Sequence, residues 1–129
     1  MPVEPSPESK TILLVEDNRD VSDAYTAVLE TLGYRVVLAH DGEEALKIWD
    51  CERDRIALVL TDLAMPGMSG TEVFGALRDR GITAPVIMLS GYPVPTGVNL
   101  EGIADWLQKP LEVEELIAAV DRALASARG

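Results

Sequence analysis

Cysteine is almost absent from this chain, which contains one, Cys51, among 129 residues. A single cysteine cannot form an internal disulfide, so a disulfide-stapled fold is excluded and a reducing compartment is expected. Aromatic residues are also scarce, at 5%, whereas apolar residues together make up 47%. Aliphatic side chains must therefore fill most of the core.

Long apolar runs and basic residues are lacking as well. No run approaches the roughly 20 apolar residues that span a bilayer, and the start of the chain lacks the apolar segment of a signal peptide. Acidic residues outnumber basic ones by 22 to 11, for a formal net charge of −11. Because nucleic acids and anionic membranes are bound through basic surfaces, we expect neither as a direct partner. The lack of a membrane span and of a signal peptide leads us to expect a cytoplasmic protein.

The chain alternates between strand and helix patterns. Apolar runs with the length of strands are residues 12–15, 34–39, 56–62, 85–90 and, more briefly, 104–108. Apolar residues at helical spacing follow each strand except the fourth. The first four strands are apolar on both faces, which predicts a doubly wound α/β domain with a parallel sheet, spanning residues 11–127. The proline-rich residues 1–10 predict a disordered tail or linker.

Polar residues stand where these strands end. Glu16 and Asp17 follow the first strand, Asp62 ends the third, Ser90 ends the fourth, and Lys109 follows the fifth. The carboxyl ends of parallel strands share one edge of the sheet, and ligands bind at that edge in open α/β sheets. We therefore expect three carboxylates, a hydroxyl and an amine to converge there.

This set of groups points to phosphoryl chemistry. Three clustered carboxylates repel one another, and a hard cation such as Mg²⁺ would relieve that repulsion. A metal ion and a lysine together match the charge that a transferring phosphoryl group develops, and aspartate is a known covalent phosphoryl acceptor. The residues therefore predict Mg²⁺-dependent phosphorylation of Asp62.

Four stretches together resemble the receiver domains of two-component response regulators, the CheY-like family. They read Leu-Val-Glu-Asp-Asn at 14–18, Asp-Leu-Ala-Met-Pro-Gly-Met-Ser-Gly at 62–70, Met-Leu-Ser-Gly at 88–91 and Trp-Leu-Gln-Lys-Pro at 106–110. The resemblance implies a flavodoxin-like sheet with strand order 2-1-3-4-5 and helices on both faces. It also implies a phosphorylation-dependent signalling switch.

The resemblance assigns roles to the acids. Asp62 matches the phosphoacceptor, which takes its phosphoryl group from the phosphohistidine of a histidine kinase or of its phosphotransfer domain. Asp17 matches the direct Mg²⁺ ligand, and Glu16 matches the acid that acts mainly through metal-bound water. The backbone carbonyl of Ala64 matches the third protein ligand of the metal.

The resemblance also assigns the groups that sense phosphorylation. Ser90 matches the switch hydroxyl, and Lys109 matches the lysine that pairs with the phosphate and often precedes a cis proline. Trp106 matches the switch aromatic, which is usually Tyr or Phe, so a rotamer change is harder for this larger ring. Tyr92 occupies a variable position lining the site, where we expect its ring to shield the acyl phosphate from water.

Two features bear on how the signal leaves the domain. Residues 91–103 contain two prolines and three glycines, so the helix that the family places before the fifth strand is expected to be short or absent. The chain ends soon after its last helix, so we expect no output module there. The domain is either a stand-alone regulator or the receiver of a hybrid sensor histidine kinase, and the residues of the last two motifs favour the hybrid kinase. A homodimer is a further expectation.

Two rival functions would also use an aspartate at the end of a strand or a receiver-like fold. A Mg²⁺-dependent aspartyl-phosphate phosphohydrolase of the haloacid dehalogenase type needs a second acid two residues after its nucleophile, but Ala64 stands there. A pseudo-receiver, an interaction module that is never phosphorylated, would not need all five site residues. We therefore expect a phosphoacceptor and not a turnover enzyme, with kinase activity only in a hybrid kinase parent.

Overall fold

The described part of the chain contains nine elements of secondary structure, and strand and helix alternate in it except that the fifth strand is the next described element after the fourth. The computed structural model describes residues 10–92 and 102–128. The elements are β1 (Thr11–Val15), α1 (Arg19–Thr31), β2 (Arg35–Ala39), α2 (Gly42–Glu52), β3 (Ile56–Asp62), α3 (Gly70–Asp79), β4 (Val86–Ser90), β5 (Ile103–Gln108) and α4 (Val113–Arg128).

The five strands form one parallel sheet in the order β2-β1-β3-β4-β5, which confirms the predicted fold class. Val15 pairs with Ala39 on one side and with Thr61 on the other. Ser90 pairs with Gln108. The strands therefore end close to a common edge, and the residues that follow them are brought together there.

The sheet is covered on both faces by separate groups of apolar side chains. Leu14 and Leu60 face α1 and α4, where they pack with Leu29 and Leu116 in what we term the α1/α4 core. The strand residues between them face the other way, towards α2 and α3. The α2/α3 core consists of Leu13, Val15, Ala39, Ala45, Trp49, Ile56, Val59, Val73, Phe74, Leu77, Val86 and Met88. Burial on both faces explains the continuous apolar runs of the strands.

Side-chain caps fix where three helices begin, and so where the loops at the site edge end. The side-chain oxygens of Asn18 and Asp41 accept hydrogen bonds from the first turns of α1 and α2. Ser69 and Glu72 form a capping box at the start of α3. Glu44 does not complete such a box with Asp41; its carboxylate accepts from the backbone N–H of His40 instead.

Two predictions lie outside the described residues. The tail at residues 1–10 falls there except for Lys10, so the boundary of the domain stays a prediction. The expectation of a short or absent helix before β5 falls largely on residues 93–101, and it too stays a prediction. Among the described helices, none is long and apolar enough to cross a membrane.

Candidate functional site

Three carboxylates meet at the carboxyl edge of the sheet. Oxygen atoms of Glu16, Asp17 and Asp62 all lie within 4.8 Å of one another. Glu16 and Asp62 are buried, whereas Asp17 is exposed at the mouth of the cluster. The β1–α1 loop supplies two of these acids and the end of β3 supplies the third, as the sequence predicts. This donor set suits a hard divalent cation, and Mg²⁺ in particular.

Lys109 lies between two of these acids. Its Nζ is 2.7 Å from Oε1 of Glu16 and 3.1 Å from Oδ1 of Asp62. The backbone N–H of Lys109 donates to the carbonyl of Ser90 at 2.6 Å, which fixes the residue beside β4. The lysine therefore reaches the acids of β1 and β3 across β4, and it brings a positive charge to the carboxylate of Asp62.

Glu16 is the most buried acid of the site. Both of its carboxylate oxygens are engaged, Oε1 by Lys109 and Oε2 by the backbone N–H of Asn18 at 3.1 Å. Burial raises the pKa of Glu16, and the neighbouring Asp62 raises it further, while the hydrogen bonds from Lys109 and Asn18 oppose the rise. The fold thus holds a carboxylate where its charge is costly, which favours a cation next to it.

Glu16 and Asp62 stabilise the charged form of Lys109. Burial works to lower the pKa of Lys109, but the contacts with Glu16 and Asp62 outweigh it, and the pKa of the lysine is raised. Lys109 is therefore positively charged at neutral pH and can neutralise negative charge that develops at Asp62.

The side chains of the predicted switch residues each make one hydrogen bond, in both cases to a backbone group of Tyr92. The buried hydroxyl of Ser90 accepts from the backbone N–H of Tyr92 at 3.0 Å. Nε1 of Trp106 donates to the carbonyl of Tyr92 at 3.5 Å, and its half-buried ring packs against the α2/α3 core. The ring of Tyr92 is 73% exposed, so it packs little against the site, and its shielding role stays a prediction.

The loop after Asp62 carries the proposed backbone ligand. Ala64 is exposed two residues after the end of β3, beside the acid cluster in sequence. The peptide bond between Lys109 and Pro110 is cis, in line with the resemblance.

A cavity of about 450 Å³ opens beside Lys109. It lies between the first turns of α1 and the cis Pro110, and its lining includes Tyr25 and Leu111. Burial raises the pKa of the Tyr25 hydroxyl, Lys109 opposes the rise, and the nearby acids Glu16 and Asp62 add to it. Tyr25 is not among the site residues that the sequence predicts, since helical spacing does not reveal how near a helix face comes to the site.

Comparisons with known proteins agree with this geometry. The family model described as the response regulator receiver domain matches residues 12–121. The chain is 41% identical to the transcriptional regulatory protein CpxR of Escherichia coli K12 over 112 residues, which are 84% of this chain and 47% of CpxR. The chain spans about half the length of the curated relatives it matches.

Solved structures give the same result. A response regulator receiver domain protein from Clostridium thermocellum superposes with a TM-score of 0.85 at 26% identity, covering 92% of this chain and 97% of that one. The response regulator TrrA from Thermotoga maritima, in complex with Mg²⁺ and BeF, superposes with a TM-score of 0.81 at 31% identity, covering 89% and 99%. This chain belongs to the family of response regulator receiver domains, which act in two-component signalling.

Proposed function

We propose that Asp62 is the phosphoacceptor of this receiver domain and that its phosphorylation switches the domain between two states. The observation that supports this most strongly is the position of Lys109, whose Nζ contacts both Glu16 and Asp62. A buried carboxylate with a lysine at 3.1 Å and two further acids nearby is poorly suited to a purely structural role, because burying these charges is costly.

Mg²⁺ is the proposed cofactor. The donor set fits it, since Asp17, Asp62, the carbonyl of Ala64 and, through water, Glu16 offer only oxygen ligands. When bound, the ion would supply positive charge that offsets the charge on the phosphoryl oxygens. The residues of the chain would hold the ion beside the acceptor, and Glu16 is itself positioned there by hydrogen bonds from Lys109 and Asn18.

The phosphoryl donor is proposed to be a phosphohistidine of a histidine kinase or of its phosphotransfer domain. A carboxylate oxygen of Asp62 attacks the phosphorus atom, a P–O bond forms, and the P–N bond to the imidazole of the donor breaks. The bonding electrons leave with the imidazole, which takes up a proton. Lys109 neutralises charge on the phosphoryl group throughout, because its ammonium already lies next to the attacking carboxylate.

The readout is proposed to run through Ser90 and Trp106. The hydroxyl of Ser90 accepts from Tyr92, and its own proton is the group that it would donate to a phosphoryl oxygen. A shift of Ser90 would disturb Tyr92, and Tyr92 also accepts from the indole of Trp106. New charge at Asp62 would in this way bias a two-state element.

Several wider assignments belong to the same proposal. The domain acts as a phosphoacceptor and not as a turnover enzyme, with a histidine kinase or its phosphotransfer domain as partner and without direct contact to nucleic acid or membrane. It works in the cytoplasm, as a separate regulator or as the receiver of a hybrid kinase. Two copies can pair as a homodimer.

One experiment tests the central assignment. The protein is incubated with acetyl phosphate and Mg²⁺, and its intact mass is followed together with that of Asp62→Asn. We expect a gain of one phosphoryl group that needs Mg²⁺ and is absent in the variant. Rapid turnover of many phosphomonoesters would favour a phosphohydrolase instead, and no Mg²⁺-dependent response would favour a pseudo-receiver.

A further inference from the structure

The backbone dihedral angles at position 70 do not explain why the residue there is a glycine. It is buried, it begins α3, and it follows the cap residue Ser69. The described glycines with positive φ are Gly33, Gly67, Gly81 and Gly102, so Gly70 is not among the residues that need left-handed backbone. Its lack of a side chain must therefore serve another purpose.

That purpose is a close approach to the strand that carries Asp62. A Cβ atom at Gly70 would lie 2.5 Å from the carbonyl oxygen of Asp62 and 2.9 Å from Cα of Leu63. It would also lie 2.6 Å from Sδ of Met88. A methionine side chain can change its rotamer, but the other two atoms belong to the backbone and could move only with the end of β3.

The two backbone segments are also tied to each other and to their surroundings. The N–H of Gly70 donates to the carbonyl of Leu63 at 2.8 Å, and the N–H of Leu63 donates to the carbonyl of Leu89 at 2.7 Å. The capping box of Ser69 and Glu72 fixes the start of the helix on the other side. A shift of either segment to admit a new side chain would therefore strain these contacts.

We propose that Gly70 is a positioning residue for the phosphoacceptor site. Without a side chain, α3 seats directly against the peptide of Asp62, and this contact sets where the carboxylate of Asp62 stands relative to Lys109. It also sets the start of the loop that presents the carbonyl of Ala64. This inference rests on the proposed function, since it assumes that Asp62 accepts the phosphoryl group with Mg²⁺.

The test compares Gly70→Ala, Met88→Ala and the double variant with the unsubstituted protein. Gly75→Ala is the matched control, because Gly75 lies in the same helix and an added Cβ would meet nothing within 4 Å. Three quantities are measured for each: the Kd for Mg²⁺ by calorimetry, the rate of phosphorylation by acetyl phosphate, and the midpoint of urea unfolding. Trimethylamine N-oxide is present in the binding and rate measurements to favour the folded state.

For folded Gly70→Ala we expect Mg²⁺ binding to weaken and phosphorylation to slow by about tenfold or more, as displacements near 1 Å commonly cause. The double variant should not recover, because both backbone contacts remain. Gly75→Ala and Met88→Ala should keep the Mg²⁺ affinity and the rate of the unsubstituted protein. If Gly70→Ala does not fold by itself, the double variant takes its place.

Three results would overturn the proposal. The first is a lower urea midpoint of Gly70→Ala with unchanged Mg²⁺ affinity and phosphorylation rate. The second is full recovery of affinity and rate in the double variant. The third is failure of both Gly70 variants to fold, which would assign Gly70 to folding alone. Failure of the proposed function is distinguishable, because it would appear as no phosphorylation in the unsubstituted protein.

Discussion

The site has two halves that are held together by different forces. The charged half consists of Glu16, Asp62 and Lys109, whose side chains are joined by ion pairs of 2.7 and 3.1 Å. The switch half consists of Ser90 and Trp106, which each make one hydrogen bond to the backbone of Tyr92. Strong contacts between mostly buried charges therefore stand beside weak contacts between neutral groups.

This difference matches a division of labour. Breaking a buried ion pair by removing one partner costs several kcal/mol, whereas one neutral hydrogen bond contributes about 1 kcal/mol. The charged half is thus fixed by the fold, as accurate chemistry requires. The switch half can be rearranged at small cost, so under the proposed function a single new charge at Asp62 would be enough to change its equilibrium.

The largest effect is expected for Lys109→Met. The substitution leaves buried Glu16 and Asp62 without their counter-charge, so the free energy of unfolding should fall by about 3 kcal/mol. Phosphorylation by acetyl phosphate should slow by about 100-fold or more, since an electrostatic contact of the transition state is lost. Urea unfolding and intact mass against time measure the two effects.

The exposed lysine of α2 gives a control for this substitution. Lys47→Met removes the same charge from the chain at a solvated position, so stability and rate should hardly change. Equal effects of Lys47→Met and Lys109→Met would show that net charge, and not the position of Lys109, determines stability and rate. The ion pairs of the charged half would then not be the cause.

Ser90→Ala should have a smaller effect that is confined to the switch half. The N–H of Tyr92 loses its acceptor, which should cost about 1 kcal/mol of stability. The Kd for Mg²⁺ should stay unchanged, because Ser90 contacts none of the three acids through a hydrogen bond that the structure shows among its described residues. Thr83→Ala at an exposed position is the control. A large loss of Mg²⁺ affinity in Ser90→Ala would show that the two halves are not separate.

Trp106→Phe should cost less than about 1 kcal/mol, since the hydrogen bond that it removes is long, at 3.5 Å. The chain has two tryptophans, and Trp49 is buried in the α2/α3 core. The fluorescence change on adding beryllofluoride with Mg²⁺ should therefore vanish in Trp106→Phe and persist in Trp49→Phe. The reverse pattern would remove Trp106 from the readout.

The smallest effect is expected in the pH dependence of stability, measured with a chelator present. Burial raises the pKa of Glu16 above its ordinary value of 4.5, so the folded protein binds the proton more tightly than the unfolded chain. The stabilisation from this group is present below pH 4.5 and is lost as pH rises through the folded pKa.

Glu16→Gln serves as the comparison for that pH dependence, because its amide does not titrate. As pH rises above the ordinary pKa of 4.5, the free energy of unfolding should fall more steeply in the unsubstituted protein than in Glu16→Gln. Equal slopes in the two proteins would contradict the raised pKa of Glu16.

The sequence predicted the fold and the membership of the charged half for a simple physical reason. Strands buried on both faces are continuously apolar, and parallel strands bring their ends to one edge. Glu16, Asp62 and Lys109 could therefore be placed together by their positions at strand ends alone. Their separation in the chain did not matter, because the sheet order determines which ends are neighbours.

Other features depend on packing that a pattern does not contain. Gly70 has no role in the sequence-based predictions, because spacing along the chain does not show that a Cβ there would meet the carbonyl of Asp62. Asn18 caps α1 through its side chain, but no pattern shows that its backbone N–H also holds Glu16. The bond from Trp106 to Tyr92 joins a side chain to a backbone atom of another loop, and no spacing rule encodes such a contact.

The most direct test of the central claim is to locate the phosphoryl group. The protein is treated with acetyl phosphate and Mg²⁺ and then reduced with borohydride, which converts an aspartyl phosphate to homoserine. Peptide mass spectrometry then identifies the converted residue. We expect homoserine at position 62 and conversion at no other acid, whereas conversion at Glu16 or Asp17, or no conversion at all, would contradict the assignment of Asp62 as the phosphoacceptor.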